Sequence, residues 1–347
     1  MRHREESRRA TQASGLRGFT LVELLVVIAI LGLLSVIVIP NISGNINSRR
    51  YREAARDTAA FIARCQSRAI GAAEPKGVMI QPLTANPATS IDLYFADTPD
   101  VYSGETSGSV AVVSGITNVT TGPLTVTFDA ATQSRLALQP NFCQAGDVIQ
   151  FGGTGAKYKF LPPNQVTMWF EDNQTPRNTS WPHASGAGLP FKIWRQPTRG
   201  IGGILQLQKG AAIDLSWSCL GTRPFSSFMG TTMTDNAVSI MFDASGKPLE
   251  IIHSGGVRTS VGEPIFLLLG EAELSGNSYD PAVSGDASGT SPQDRGGANW
   301  QYGDCVWVCI DNNSGVVKTA NVLPRTTSVI ASQRPLRLSI GYAAGER

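Results

Sequence analysis

The chain has 347 residues, with 29 lysines and arginines against 27 aspartates and glutamates, which gives a formal net charge of +2. Five of the arginines and two of the glutamates lie in residues 1–18, so the rest of the chain has 24 basic and 25 acidic residues. This balance gives no support to nucleic-acid binding, which requires a basic face on the folded part of the chain, and we expect no nucleic-acid partner.

Residues 1–18, MRHREESRRATQASGLRG, form a basic leader ahead of a long apolar run. Positive charge on this flank favours a cytoplasmic N-terminus and export of the chain that follows. An ordinary secretory signal has a shorter apolar region, followed by small residues in an A-x-A pattern. Here the apolar run is followed by Pro-Asn-Ile-Ser at 40–43, so an ordinary signal fits poorly.

Residues 19–39, FTLVELLVVIAILGLLSVIVI, predict a transmembrane helix. At about 1.5 Å per residue the run spans roughly 31 Å, which matches a hydrocarbon core about 30 Å thick. Glu23 is the ionisable residue within it. A carboxylate costs on the order of 2.5–3.5 kcal/mol at the bilayer centre and less near the edge, where Glu23 lies, and it needs a cationic partner.

The stretch GFTLVE at 18–23 resembles the prepilin N-terminus of type IV pilins and type II secretion pseudopilins. The resemblance implies that a prepilin peptidase cleaves between Gly18 and Phe19 and that the new Phe19 amine is methylated. It also implies that Glu23 meets the terminal amine of a neighbouring subunit during assembly, where the low dielectric strengthens the attraction. The alternative is an uncleaved signal anchor with an incidental glutamate.

Residues 40–72 predict an amphipathic stem helix. Pro40 lacks an N–H and its ring clashes with the preceding turn, so we expect a kink or local opening there. Beyond it, apolar side chains recur at steps of three and four residues, and residues 71–75 are expected to end the helix. The sequence AARDTAAFIARCQSRAI at 54–70 is most similar to H-type minor pseudopilins and FimT-type minor pilins. The predicted apolar stripe comprises Tyr51, Ala54, Ala55, Thr58, Phe61, Ile62, Cys65 and Ala69.

Residues 73–347 predict a β-rich head. From residue 76 the helical periodicity disappears, and short runs rich in Val, Ile, Thr and aromatics alternate with turn residues, which is typical of antiparallel β-structure. The predicted strands are 77–81, 90–95, 110–116, 124–128, 147–151, 157–160, 166–170, 191–194, 204–207, 238–242, 249–253, 265–269, 304–310 and 316–320.

Two strand–turn–strand blocks near the C-terminus are similar to a pair that ends H-type pseudopilins. They are AVSIMFDASGKPLEIIH at 237–253 and VWVCIDNNSGVVKT at 306–319. The chain is much longer than typical members of that group, and the surplus lies in residues 97–235 and 275–303. This surplus is either an elaborated sheet or an inserted second β-module.

The head offers few residues for catalysis. Its histidines, His183 and His253, are far apart, and the sequence has no H-E-x-x-H motif, nucleophile elbow or metal-spaced Cys/His cluster. We therefore expect no enzyme, no cofactor and no metal. Calcium binding is an alternative for the loop that holds four aspartates, although no spacing of its residues requires a calcium site. These are Asp280, Asp286, Asp294 and Asp304.

The sequence does not determine which of the five cysteines form disulfides with one another. An exported head permits disulfides, and Cys143–Cys219 is compatible with one. The odd count leaves at least one thiol unpaired. Cys65 lies on the stem stripe, where it acts as a small buried apolar residue.

These features predict an α+β protein, with a long N-terminal helix packed on a β-rich head. The expected function is that of a minor pseudopilin or pilin-like subunit, anchored once in the inner membrane with its head in the periplasm. Its expected partners are the prepilin peptidase, other pseudopilins through the N-terminal helix, and the bilayer. The alternative is a membrane-anchored tip adhesin or binding module that uses Trp169, Trp181 and Trp194. A membrane-anchored enzyme would require a deep polar cleft.

Overall fold

The computed structural model describes residues 20–114, 123–153, 156–168, 170–171, 175–176, 188–225, 237–253, 256–278, 280 and 296–322, with the backbone alone at 35–46, 168–171 and 175–176. The helices are α1 (Leu21–Ala72) and α2 (Ala130–Leu138). The strands are β1 (Lys76–Pro82), β2 (Thr89–Asp97), β3 (Ala111–Ser114), β4 (Leu124–Phe128), β5 (Val148–Phe151), β6 (Lys157–Leu161), β7 (Gln165–Met168), β8 (Phe170–Glu171), β9 (Thr175–Pro176), β10 (Phe191–Trp194), β11 (Thr198–Arg199), β12 (Leu205–Gln206), β13 (Ala211–Leu220), β14 (Arg223–Pro224), β15 (Val238–Phe242), β16 (Pro248–His253), β17 (Val257–Ser260), β18 (Ile265–Glu271), β19 (Val306–Ile310) and β20 (Val317–Asn321).

Helix α1 is assigned as one 52-residue helix through Pro40, where the predicted kink stays a prediction. It ends at Ala72, within the expected stretch, and Ala73 takes a left-handed conformation with φ of 53°. All eight side chains of the predicted stripe are buried. Since α1 contacts β1, β13, β15, β18, β19 and β20, this stripe packs on the face of one sheet and forms the main core with it.

The main sheet has the strand order β17-β16-β15-β1-β2-β13-β18-β19-β20, with β11 and β12 beside β2 and β14 beside β13. Its described pairs are antiparallel. Strands β15, β18 and β19 are buried along their whole length. This continuous burial arises because α1 covers one face and other parts of the head cover the rest.

A second sheet lies within the surplus residues. Its strand order is β10-β5-β6-β7-β4-β3, and it encloses a separate core of aromatic and β-branched side chains that includes Phe128, Phe160 and Phe191. The rings of Phe128 and Phe191 meet edge to face, with their centroids 5.0 Å apart. The surplus at 97–235 therefore holds both predicted alternatives: an inserted second β-module, and an elaboration of the main sheet by β11 to β14.

All fourteen predicted strands coincide with observed strands, but the prediction that helices end at residue 76 was wrong. Helix α2 follows β4, because Asp129 caps it by accepting hydrogen bonds from the backbone N–H and the hydroxyl of Thr132 at 3.2 and 2.9 Å. The longest strand that the sequence missed is β13, AAIDLSWSCL. Its small and polar residues have low strand propensity, and its burial between β2 and β18 decides the conformation.

Candidate assembly site on helix α1

The N-terminus of α1 is closed by a reciprocal cap between Thr20 and Glu23. Glu23 Oε2 accepts hydrogen bonds from the Thr20 backbone N–H and hydroxyl, both at 2.9 Å. In return, the Glu23 N–H donates to Thr20 Oγ1 at 3.2 Å. This is the capping-box arrangement. It holds the carboxylate against the Thr20 backbone N–H, and none of these bonds uses Glu23 Oε1.

The side chains of α1 from Leu21 to Leu34 are exposed, and nearly all of them are apolar. Leu21 is 78% exposed and Leu33 is 69% exposed. Among the helices of the described residues, none meets the length and apolarity needed to span a membrane. The predicted span 19–39 also includes Phe19 and the side chains of 35–39, which lie outside the described residues.

The C-terminal part of α1 connects to both C-terminal hairpins through Gln66. Its side-chain amide donates to the Gly246 carbonyl at 3.1 Å and to the Gly315 carbonyl. These glycines have φ of +82° and +72° and close the β15–β16 and β19–β20 turns. The two sequence blocks that resembled H-type pseudopilins therefore meet at one stem residue. The sequence patterns revealed both turns but not Gln66, whose only signal is a polar residue beside the apolar stripe.

Residues 15–39 match the family model described as the prokaryotic N-terminal methylation motif. The chain carries a prepilin-type N-terminus. No curated protein and no solved structure matches the chain significantly. The motif implies processing by a prepilin peptidase and assembly of a pilin-like subunit into filaments.

The prepilin-type motif places the new terminus next to the cap. Gly18 and Phe19, the predicted cleavage and methylation residues, lie outside the described residues. Thr20 directly follows Phe19, and its N–H is already bonded to Glu23. The carboxylate is therefore bonded to the residue that directly follows the predicted new N-terminus, and the bonds to Thr20 leave Oε1 unused.

A cavity of about 530 Å³ separates the main sheet from the second module. Met79, Ser239 and His253 line it from the main sheet, and Gln144 and Gln196 line it from the module side. Both glutamine backbone N–H groups donate to the carboxylate of Asp147 at 2.8 Å. Burial raises the pKa of Asp147. The walls mix amides, hydroxyls and apolar side chains with the Arg199 guanidinium and the His253 imidazole.

Of the histidines and aspartates of the head that the sequence singled out, His253, Asp280 and Asp304 lie within the described residues. His253 is buried in the cavity wall, 6.1 Å from the ring of Phe225 between centroids, whereas His183 lies outside the described residues. Over the ranges that the structure describes, no group of three or more His, Cys, Asp or Glu is placed to hold a metal ion. In the aspartate loop, Asp286 and Asp294 lie outside those ranges, and Asp304 is buried.

All five cysteines are buried thiols, and none of them forms a disulfide. Cys143 belongs to the core of the second module and Cys219 to the core under α1, so the Cys143–Cys219 pairing that the sequence allowed is wrong. Burial raises the pKa of the Cys143 thiol to about 12. Each thiol therefore acts as a small apolar core group.

Trp194, the described member of the tryptophan set, is half-buried. The Lys157 ammonium lies 4.5 Å from its ring centroid, which is the geometry of a cation–π contact. Trp169 and Trp181 lie outside the described residues.

Asp214 is a buried carboxylate on strand β13 of the main sheet. Oδ2 accepts from Asn299 Nδ2 at 3.0 Å, and Oδ1 accepts from the Ser216 N–H at 3.1 Å. Asn299 also accepts from the Glu271 N–H at 2.8 Å, which fixes its amide orientation. Desolvation raises the pKa of Asp214 to about 7 despite these hydrogen bonds.

We expect the stability of the head to fall between about pH 5 and pH 8 because of Asp214. Its folded pKa is above the ordinary value of 3.8, so the folded state binds the extra proton and loses that stabilisation as pH rises toward 7. Chemical denaturation at pH 5 and pH 8 should show a loss on the order of 2 kcal/mol that Asp214→Asn lacks. Equal pH slopes in the two proteins would contradict this assignment.

Proposed function

We propose that the chain is a minor pseudopilin or pilin-like subunit of a type II secretion or type IV pilus filament. The observation that carries this proposal is the division of α1. Its first part is apolar and exposed from Leu21 to Leu34, whereas its last part is buried by the head along one stripe. A helix with an uncovered apolar half needs other apolar surfaces to cover it, and bilayer lipid and neighbouring stems are suited to this.

In the proposed assembly, the chain is anchored once in the inner membrane by residues 19–39, with the head in the periplasm. Cleavage after Gly18 removes the basic leader and creates the Phe19 amine. Glu23 Oε1 then pairs with the Phe19 amine of a neighbouring subunit, because an isolated carboxylate in an apolar environment is costly. The pair sets the axial register of the stems.

The H-type assignment within the minor pseudopilins rests on the two C-terminal hairpins. Their turns lie side by side, since a side chain at Gly315 would have its Cβ 2.4 Å from the Gly246 carbonyl oxygen. Gln66 links both turns to the stem. These contacts support the view that the paired sequence blocks belong to one structural unit.

We propose that the head acts by binding rather than by catalysis. The alternative function, a tip adhesin or binding module presented on the filament, has one supporting observation in the cavity between the main sheet and the second module. Clefts between structural units are common ligand sites. Trp194 is half-buried and lies against the Lys157 ammonium. This position does not favour a ligand-binding surface made of tryptophan side chains.

The test is recovery of an epitope-tagged chain in filaments sheared from cells. We expect the tagged chain in the sheared fraction as a minor component, and in the membrane fraction of cells that lack the prepilin peptidase. A chain that stays in the membrane fraction of both strains would contradict the proposal. Deleting the gene and measuring protein secretion and surface pili separately would assign the machine.

A further inference from the structure

The exposed side of the stem carries four arginines, Arg49, Arg52, Arg56 and Arg64, which we name the arginine face. They lie opposite the buried stripe, because exposed and buried positions alternate at helical spacing between residues 47 and 71. All four side chains are exposed. The same side of the helix carries two acidic residues, Glu53 and Asp57, so the face has an excess of positive charge.

The arginine face lacks acidic partners within the described ranges. No carboxylate oxygen there lies within 4.0 Å of these four guanidinium groups. In contrast, Arg68 pairs with Asp97 at 3.5 Å and Arg258 with Glu250 at 2.7 Å. Glu53 is turned toward the head, where Gln208 donates to it at 3.0 Å. Arg68 and Arg258 are therefore held in ion pairs, whereas these four arginines are exposed to solvent.

An apolar notch lies beside the arginine face. It has a volume of about 170 Å³, and Asp57, Ala60, Arg64 and Leu205 line it. Phe61 and Phe95 form its floor, with stacked rings 4.6 Å apart between centroids. At the rim Ile204 is 59% exposed, and nearby Ile201 is 93% exposed. The notch thus offers room for an apolar side chain, with one arginine and one aspartate in its wall and the other three arginines of the face along the same side of the helix.

The heights of Arg56 and Arg64 exclude lipid headgroups as the occupant of the upper part of this face, where the notch lies. Arg52 lies 13 residues and Arg56 lies 17 residues beyond Ile39, or about 20 and 26 Å along a helix. Headgroup layers extend only about 5–8 Å beyond the hydrocarbon core. Even a tilt of about 40° leaves Arg56 roughly 20 Å above the core, beyond the reach of its side chain.

A second copy of the chain is also a poor occupant. The head buries the opposite side of its stem, so a second copy would meet this face with its own arginine face. Like charges that face each other across an interface are destabilising. A partner with carboxylates at steps of three and four residues along a helix matches the spacing of the arginine face. Ala60 and Ala63, which are small and exposed between the arginines, allow such a helix to approach closely.

We propose that the arginine face and the notch bind the acidic stem helix of a different subunit of the same filament. Carboxylates of the partner pair with Arg52 and Arg56, and one apolar side chain of the partner enters the notch at Ala60. The inference rests on the proposed function and deepens it, because it gives the stem a preferred neighbour. It also limits the chain to positions beside that neighbour, as expected of the minor subunit proposed above.

The experiment is site-specific photo-cross-linking from p-benzoyl-phenylalanine in place of Ala60, in the full chain and in the cells that assemble its filament. We expect a cross-link to a second prepilin-type protein, within the 30 residues after its apolar segment and in a peptide with an excess of Asp and Glu. Arg52→Glu/Arg56→Glu should lower the yield at least tenfold, whereas Arg52→Lys/Arg56→Lys should keep it within about twofold, because charge rather than shape is required. The probe at Leu138, which is exposed on α2, is the control position and should not trap that peptide.

Cross-links to phospholipid or to another copy of the chain would overturn the proposal. An equal yield from the glutamate variant, or no cross-link from Ala60, would overturn it as well. Intact mass is measured on every variant in the same experiment. A processed chain without the expected cross-link refutes this inference alone, whereas an unprocessed chain refutes the proposed function. Unchanged thermal melting of the glutamate variant verifies that the exposed substitutions leave the fold intact.

Discussion

Glu23→Ala is expected to lower the amount of the chain in sheared filaments by at least tenfold while cleavage after Gly18 continues. Removing one partner of a buried charge pair costs about 3–5 kcal/mol, and each 1.4 kcal/mol is about a factor of ten in an equilibrium. The variant would leave the amine of the neighbouring subunit without its carboxylate. The measurement is the ratio of tagged chain in the filament and membrane fractions, with intact mass as the readout of processing.

Glu23→Gln separates the charge pair from the helix cap. Glutamine keeps a carbonyl oxygen that accepts from the Thr20 N–H and hydroxyl, as Glu23 Oε2 does, but it carries no charge. We expect the glutamine variant to be lost from filaments as fully as the alanine variant. Recovery of the glutamine variant at the level of the unmodified chain would show that Glu23 acts only as a cap, and the assembly role assigned to it would be wrong.

Gly315→Ala is expected to destabilise the head by about 3 kcal/mol. The backbone of Gly315 has φ of +72°, and a Cβ there would lie 2.4 Å from the Gly246 carbonyl oxygen and 3.0 Å from Gln66 Nε2. The substitution therefore strains its own turn and pushes apart the contact of the two hairpins with the stem. Thermal or chemical denaturation of the purified full chain in mild detergent measures the loss.

Gly262→Ala is the matched control for the junction. Gly262 is exposed and has no positive φ, and a Cβ added at this residue would meet no heavy atom within 4 Å. We expect its substitution to change the free energy of unfolding by less than about 0.5 kcal/mol. Equal effects of the two substitutions would mean that the junction at Gln66 contributes nothing specific to stability.

Local patterns in the sequence were sufficient for the stem and for most strands. The stripe from Tyr51 to Ala69 is predicted correctly because helical periodicity decides which face is buried. The hairpins β15–β16 and β19–β20 are predicted correctly because turn residues separate runs of strand-forming residues. In each case the information lies within a few residues of the element that it specifies.

The features that the sequence did not reveal depend on long-range contacts. Strand β13 forms although Asp214 lies in its middle, because Asn299, 85 residues away, satisfies the carboxylate. Gln66 is meaningful only once two turns, 180 and 249 residues away, are brought to it. Strand lengths alone also did not reveal that β3 to β7 and β10 form their own sheet with a separate core.

The most direct test of the filament function is the intact mass of the chain from membranes, with and without a co-expressed prepilin peptidase. We expect loss of residues 1–18 and the addition of one methyl group at Phe19, only when the peptidase is present. An unchanged mass, beside a control prepilin that the same peptidase processes, would contradict this function. The N-terminal helix would then be an uncleaved anchor, and the filament function would be wrong.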